Sequence, residues 1–300
     1  MPRVRLLPVA LTAMAAALAL VPWVAEASDP FLVAPAAEIV ERSPAFRYAN
    51  MSAQAALNEL DRRKILYQQV EPHGAVRTPI RLTGKLHGVH IHSALPEHER
   101  PTTPFEICDA RFALALDDFS ALLAKRDIVE LIHYTMYRPS VAWSSLSQAS
   151  PKLGPRWFER SDLAKKSSSA KAEGRPRAVA GSRRASGKRP VRDSEAKPGR
   201  SNATQSRHPL GLAIDPGAFV KRDGTVLSVA SHFQGRIGAQ TCGSGASVPQ
   251  DPRAQELWSI VCETYDAKIF TYVLTPNFDR PHQDHFHMDI KPGVRWFLYH

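Results

Sequence analysis

His282-Gln283-Asp284-His285-Phe286-His287-Met288-Asp289-Ile290 puts three histidines and two carboxylates within eight positions, threaded through an apolar series. On a β-strand, residues two apart share a face. His285, His287 and Asp289 then line one side, while Phe286, Met288 and Ile290 enter a core. A second cluster lies upstream, Ser206-Arg207-His208-Pro209-Leu210-Gly211-Leu212-Ala213-Ile214-Asp215. The same alternation sends Leu212 and Ile214 inward and places Gly211, Ala213 and Asp215 on the outer face, where two small residues leave room for a ligand. Imidazole and carboxylate together suit a borderline cation such as zinc, and three protein ligands would leave a fourth position open for water.

The combined spacing, Ser206-x-His208-x-x-Gly211-x-Ala213-x-Asp215 followed far downstream by His285-x-His287, resembles the LAS superfamily of zinc peptidases. That superfamily comprises D-Ala-D-Ala dipeptidases and carboxypeptidases, murein endopeptidases and phage endolysins. The His-x-Asp-His-Phe-His ending is similar to its bacterial extensin-like C-terminal branch. The likeness is good over residues 204–290 and weak over 50–145. It implies His208, Asp215 and His287 as ligands to Zn2+.

The resemblance leaves the base open. Asp284, three residues before His287, matches the carboxylate of the endolysins and dipeptidases, which takes a proton from water and passes it to the leaving amine. His282 and His285 match the murein endopeptidases instead. Asp284 ranks first, with His285 otherwise a supporting group or transition-state donor. Arg138 follows the Tyr134–Tyr137 strand, where relatives use an Arg near the scissile carbonyl. It would bind a substrate carboxylate or stabilise the oxyanion, unless it forms a surface salt bridge. Asp289 reads as a hydrogen-bond acceptor behind a ligand, and Ser206 as a turn or cap residue. His87, His90, His92 and His98 read as a solvated strand face rather than a second metal site. His232 is a weaker candidate for the pocket.

Residues 1–27 have the form of a Sec-type signal peptide: Arg3 and Arg5, an apolar stretch from Leu6 to Val24, and Ala25-Glu26-Ala27 before the cut. The expectation is an exported protein, periplasmic or associated with the cell envelope. Such a chain can keep a disulfide. Cys242 and Cys262 flank one loop and a helix start and are expected to pair, leaving Cys108 free. Extensin-like relatives carry a further cysteine where Tyr137 stands here, so their disulfide pattern does not carry over.

Residues 28–50 form a lead-in with little pattern. Residues 51–145 and 206–300 form the two halves of one domain, interrupted at 146–205. Helices are expected over Ser52–Leu66, with Leu57, Leu60 and Leu66 as its stripe, over Phe105–Ala124, and from the Asp251-Pro252 start to Thr264. Strands are expected within 76–95, over Ile128–Tyr137, over Leu212–Val220 returning through Asp223-Gly224, over Ile269–Leu274 and over His285–Ile290. The fold class is α+β, a small antiparallel sheet with flanking helices.

Between Lys152 and Arg207 stand 16 basic and 5 acidic side chains, a surplus of 11 against a net charge of +10 for the whole chain. This segment has too few apolar residues to offset its ordering entropy and reads as disordered, with Trp157 and Phe158 as local exceptions. Its charge suits a solvated loop or a tether through residues 152–203 to anionic envelope polymers. The leader, and the absence of basic–aromatic interleaving, argue against nucleic acid. The expected function is an exported zinc peptidase acting on peptidoglycan peptides next to a D-amino acid. The alternative is a non-catalytic cell-wall-binding module on the same scaffold.

Overall fold

The computed structural model describes residues 31–139 and 206–300. The expected signal peptide and the basic segment 146–205, with Trp157 and Phe158, lie outside the described residues. The chain begins with β1 (Leu32–Val33), α1 (Ala37–Arg42) and α2 (Pro44–Ala49). From residue 31 the lead-in, which showed little sequence pattern, therefore holds two short helices. Ser43 Oγ accepts Phe46 N at 3.2 Å, and Pro44 sits in the first turn with its φ already set for a helix.

Helix α3 (Ala53–Arg62) starts at the expected Ser52 cap and buries Leu60. Leu66 does not join that stripe. Lys64 turns the chain at a φ of 59°, and Leu66 beyond it is exposed. Strands β2 (Tyr67–Gln69), β3 (Pro79–Leu82) and β4 (His90–Ser93) follow. The helix expected from Phe105 begins later: β5 (Ile107–Asp109) precedes α4 (Ala110–Ala124). The cause is Asp109, which is fully buried. It caps α4 through Arg111 N (3.0 Å), accepts Thr78 N (3.1 Å) and pairs with Arg111 Nε (2.7 Å).

Strand β6 (Ile128–His133) ends short of Tyr137. Beyond the basic segment come β7 (Ala213–Ile214), β8 (Pro216–Lys221), β9 (Val226–Ser228) and α5 (Val229–His232). The strand expected over Leu212–Val220 is thus broken at Asp215. Gly224, at a φ of 87°, makes the β8–β9 turn. The Asp251 side chain caps α6 (Pro252–Asp266), and β10 (Tyr272–Leu274), β11 (His287–Asp289) and β12 (Phe297–Tyr299) complete the described elements.

The class is α+β as expected. The described strands make three sheets rather than one, in the orders β1-β12-β10-β11-β7, β2-β3-β5 and β4-β6-β8-β9. Two pairings, β10–β12 and β4–β6, are parallel. Helix α4 is buried along most of its length, and its Phe112 and Phe119 rings meet Phe270 at 6.0 and 5.5 Å. Phe286 fills the core between Phe219 (6.1 Å) and Phe233 (5.6 Å). The residue between His285 and His287 is therefore an anchor, and it fixes which way the two imidazoles face.

Cys242 and Cys262 form a disulfide with Cα atoms 5.5 Å apart, and Cys108 is buried and free. Arg138 N donates to His208 O at 3.5 Å, joining the two edges of the described structure across the basic segment. Among the described residues no helix is long and apolar enough to cross a membrane.

Candidate metal centre

His208 opens a short 3-10 turn that ends at Gly211. Gly211 holds a φ of 64°, and a Cβ there would meet Asp109 N at 2.8 Å. The small residue thus admits a neighbouring backbone and not a ligand, a correction to the sequence reading. Strand β7 then pairs with β11, setting Ile214 opposite Met288 and Ala213 opposite Asp289. Asp215 follows directly, held by its N–H to Thr135 O (3.1 Å) and its carbonyl to Tyr134 N (2.9 Å). The cross-strand pairing brings His287 to Asp215 across 72 positions of sequence.

Three buried groups converge. Asp215 Oδ1 lies 2.9 Å from His208 Nε2 and 3.0 Å from His287 Nδ1, and these two nitrogens are 3.3 Å apart. Their ligating atoms all fall within 4.8 Å of one another, the single such group of histidine, cysteine and acidic side chains among the described residues. The outer nitrogen of each imidazole has its own acceptor. His208 Nδ1 donates to Met136 O at 3.1 Å, and His287 Nε2 faces Asp289 Oδ2 at 3.4 Å. A carbonyl can only accept, so the proton of neutral His208 is on Nδ1 and its Nε2 lone pair points inward. A metal site orients its ligands in this way.

The electrostatics agree. Burial pushes His208 down to about 4, against the pull of Asp215. Burial would raise Asp215, yet His208, His285 and His287 hold it well below its ordinary value. Burial also opposes charge on His287, but hydrogen bonds to Asp215 and Asp289 lift it to about 9. A carboxylate between two imidazoles calls for positive charge at the centre, which a proton or a divalent cation satisfies. Two imidazoles and a carboxylate are a donor set that fits zinc.

The other candidates surround this centre. His285 Nε2 stands 3.9 Å from Asp215 Oδ1, and its Nδ1 is 2.7 Å from Asp284 Oδ1. Asp284 is therefore engaged with His285. The His282 ring packs against those of His285 (5.3 Å) and His287 (5.9 Å). Arg138 Nη2 lies 3.4 Å from Asp215 Oδ2 and stays partly exposed. Ser206 Oγ accepts His208 N at 3.4 Å. Asp289 sits behind His287, as expected.

Four other histidines have contacts outside this centre. His232 Nδ1 accepts from the N–H of Ser228, the cap residue before its helix, at 3.0 Å. His87 pairs with Asp117 (3.2 Å), and His98 faces Glu99 (3.7 Å). His92 is buried and not on a solvated face, and its Nε2 lies 3.7 Å from Glu130 on the neighbouring strand. Sequence reasoning missed two residues. Tyr134 donates to Asp284 O (3.3 Å) and sets its ring edge against His285 (5.5 Å). Burial, with the charges of Asp284 and Asp215, pushes its phenol up. Asp279 lies 2.5 Å from His282 Nδ1. Its one sequence signal was an Asp before a Pro-containing turn.

Residues 192–297 match the family model for the extensin-like protein C-terminus. The match spans His208, Asp215 and His287 as well as His282, Asp284 and His285, and supports an extensin-like C-terminal domain in this part of the chain. No curated protein and no solved structure matches the chain.

Proposed function

We propose that the protein is an exported, zinc-dependent hydrolase of LAS-peptidase type that cleaves amide bonds next to a D-amino acid in peptidoglycan peptides. The observation that carries this reading is the convergence of His208 Nε2, Asp215 Oδ1 and His287 Nδ1, with both outer imidazole nitrogens committed to acceptors. The substrate class rests on the sequence resemblance. Zinc, when bound there, supplies a Lewis acid for the scissile carbonyl and a water that ionises near neutral pH.

The chain's own residues divide the remaining work. His285, with Nε2 beside the ligand set and Nδ1 on Asp284, is placed to take the attacking water's proton and return it to the leaving amine. Asp284 then orients the ring and stabilises its cationic form, the logic of a carboxylate–imidazole pair. This makes Asp284 the partner of the base rather than the base itself. Arg138, beside Asp215 and partly exposed, binds a substrate carboxylate or the developing oxyanion on this reading. The surplus charge of residues 152–203, carried on a segment whose flanks meet at Arg138 and His208, supports attraction to anionic envelope polymers.

The test is mass spectrometry of defined muropeptides incubated with zinc-loaded protein. Cleavage that is lost on chelation and restored by zinc supports the hydrolase. Binding of muropeptides without turnover supports a cell-wall-binding module instead.

A further inference from the structure

The Asp284–His285 pair has a counterpart. Asp279 has an extended backbone, and its Oδ1 accepts twice from His282: from the backbone N–H at 3.2 Å and from ring Nδ1 at 2.5 Å. The first bond is an ordinary cap of the 3-10 turn Arg280–His282. The second is not needed for capping. It commits a half-exposed carboxylate to a largely buried imidazole that Phe278 (5.6 Å) packs on one side and His285 and His287 pack on others. A carboxylate oxygen accepts from Nδ1–H, so Nε2 keeps its lone pair.

We infer that Asp279 is a positioning residue that fixes the tautomer and orientation of His282, so that a second carboxylate-backed imidazole stands beside the ligand set. Neither Asp279 nor this bond follows from the motif spacing, since residue 279 lies outside the histidine run. The inference rests on the hydrolase reading for its kinetic consequence only. The tautomer of His282 is a property of the folded chain whether or not it turns over substrate.

Two variants separate positioning from capping. Asp279→Asn keeps an oxygen for both bonds. Asp279→Ser keeps an oxygen that reaches the backbone N–H, but it is one bond too short for the ring. Nitrogen-15 NMR of the histidine rings in the mature protein should show His282 protonated at Nδ1 in wild type and Asp279→Asn, and redistributed toward Nε2–H in Asp279→Ser. With zinc-loaded protein and a defined cross-linked muropeptide, Asp279→Ser should lower kcat about 10–100-fold, the range seen for such supporting bonds. KM should stay within about twofold and zinc content should not change. An Nε2–H tautomer in the wild type overturns the inference, as does an Asp279→Ser protein with the wild-type tautomer and rate. Wild-type protein that shows the Nδ1–H tautomer but cleaves nothing overturns the hydrolase reading and leaves the positioning role standing.

Discussion

His208 Nε2 and His287 Nδ1 face each other at 3.3 Å across the carboxylate of Asp215, and neither ring is free to turn away. The Met136 carbonyl holds one from behind and Asp289 holds the other. Burying three such acceptors together is costly without positive charge among them. A proton on His287 or a bound cation would supply that charge.

Proton transfer is tested at the Asp284–His285 pair. His285→Gln should keep fold and zinc yet lower muropeptide turnover about 10²–10⁴-fold, the usual worth of a positioned acid–base group. Asp284→Asn can turn its amide nitrogen toward Nδ1 and impose the wrong tautomer, so it should also lower turnover while fold and zinc are kept. A near-silent His285→Gln beside a collapsed Asp284→Asn would return the base role to Asp284.

Acid stability should depend on Glu106. Its carboxylate accepts Ser93 N at 2.6 Å and lies 3.6 Å from His133 Nε2, with Arg81 also facing it. Burial pushes this carboxyl up, but His133 and the Ser93 N–H outweigh it and hold it at about 2, against an ordinary 4.5. A depressed folded-state value means that the stabilisation is complete above about pH 4.5 and is lost as pH falls toward about 2. The advantage of wild type over Glu106→Gln in urea unfolding should therefore shrink by about 3 kcal/mol between pH 7 and pH 2. A pH-independent difference would contradict this.

The Cys242–Cys262 bond closes a loop with a sequence separation of 20. Replacing both with Ser should cost about 3 kcal/mol, chiefly through the entropy returned to the unfolded chain. Thermal unfolding of the double variant, compared with wild type, measures it. An unchanged midpoint would show that the loop is already held without the bond.

Deleting residues 152–203 should leave folding and zinc content intact, because Arg138 and His208 are already bonded to each other at the point of interruption. Binding to anionic polymer should weaken and lose its salt dependence. An unfolded deletion protein would show that the segment contributes to the core.

What was readable in the sequence was short-range or periodic. The strand alternation placed Phe286, Met288 and Ile290 in the core, Asp251-Pro252 marked a helix start, and two motifs together announced that His208, Asp215 and His287 would meet. What was not readable depends on contacts made across the fold. Nothing local says that the Met136 carbonyl holds His208, or that Glu130 on the next strand approaches His92. Asp109, a buried cap inside an apolar run, hid the division between β5 and α4, and Gly211 looked like room for a ligand until the Asp109 backbone filled it.

The most direct test of the centre is zinc stoichiometry in purified protein, measured by elemental analysis after dialysis against trace free zinc. About one zinc per chain is expected for the wild type. Loss of any one of three ligands, as in His208→Ala, Asp215→Ala or His287→Ala, should greatly reduce it. Circular dichroism should show each variant still folded. A folded triple variant that retains stoichiometric zinc would contradict the account.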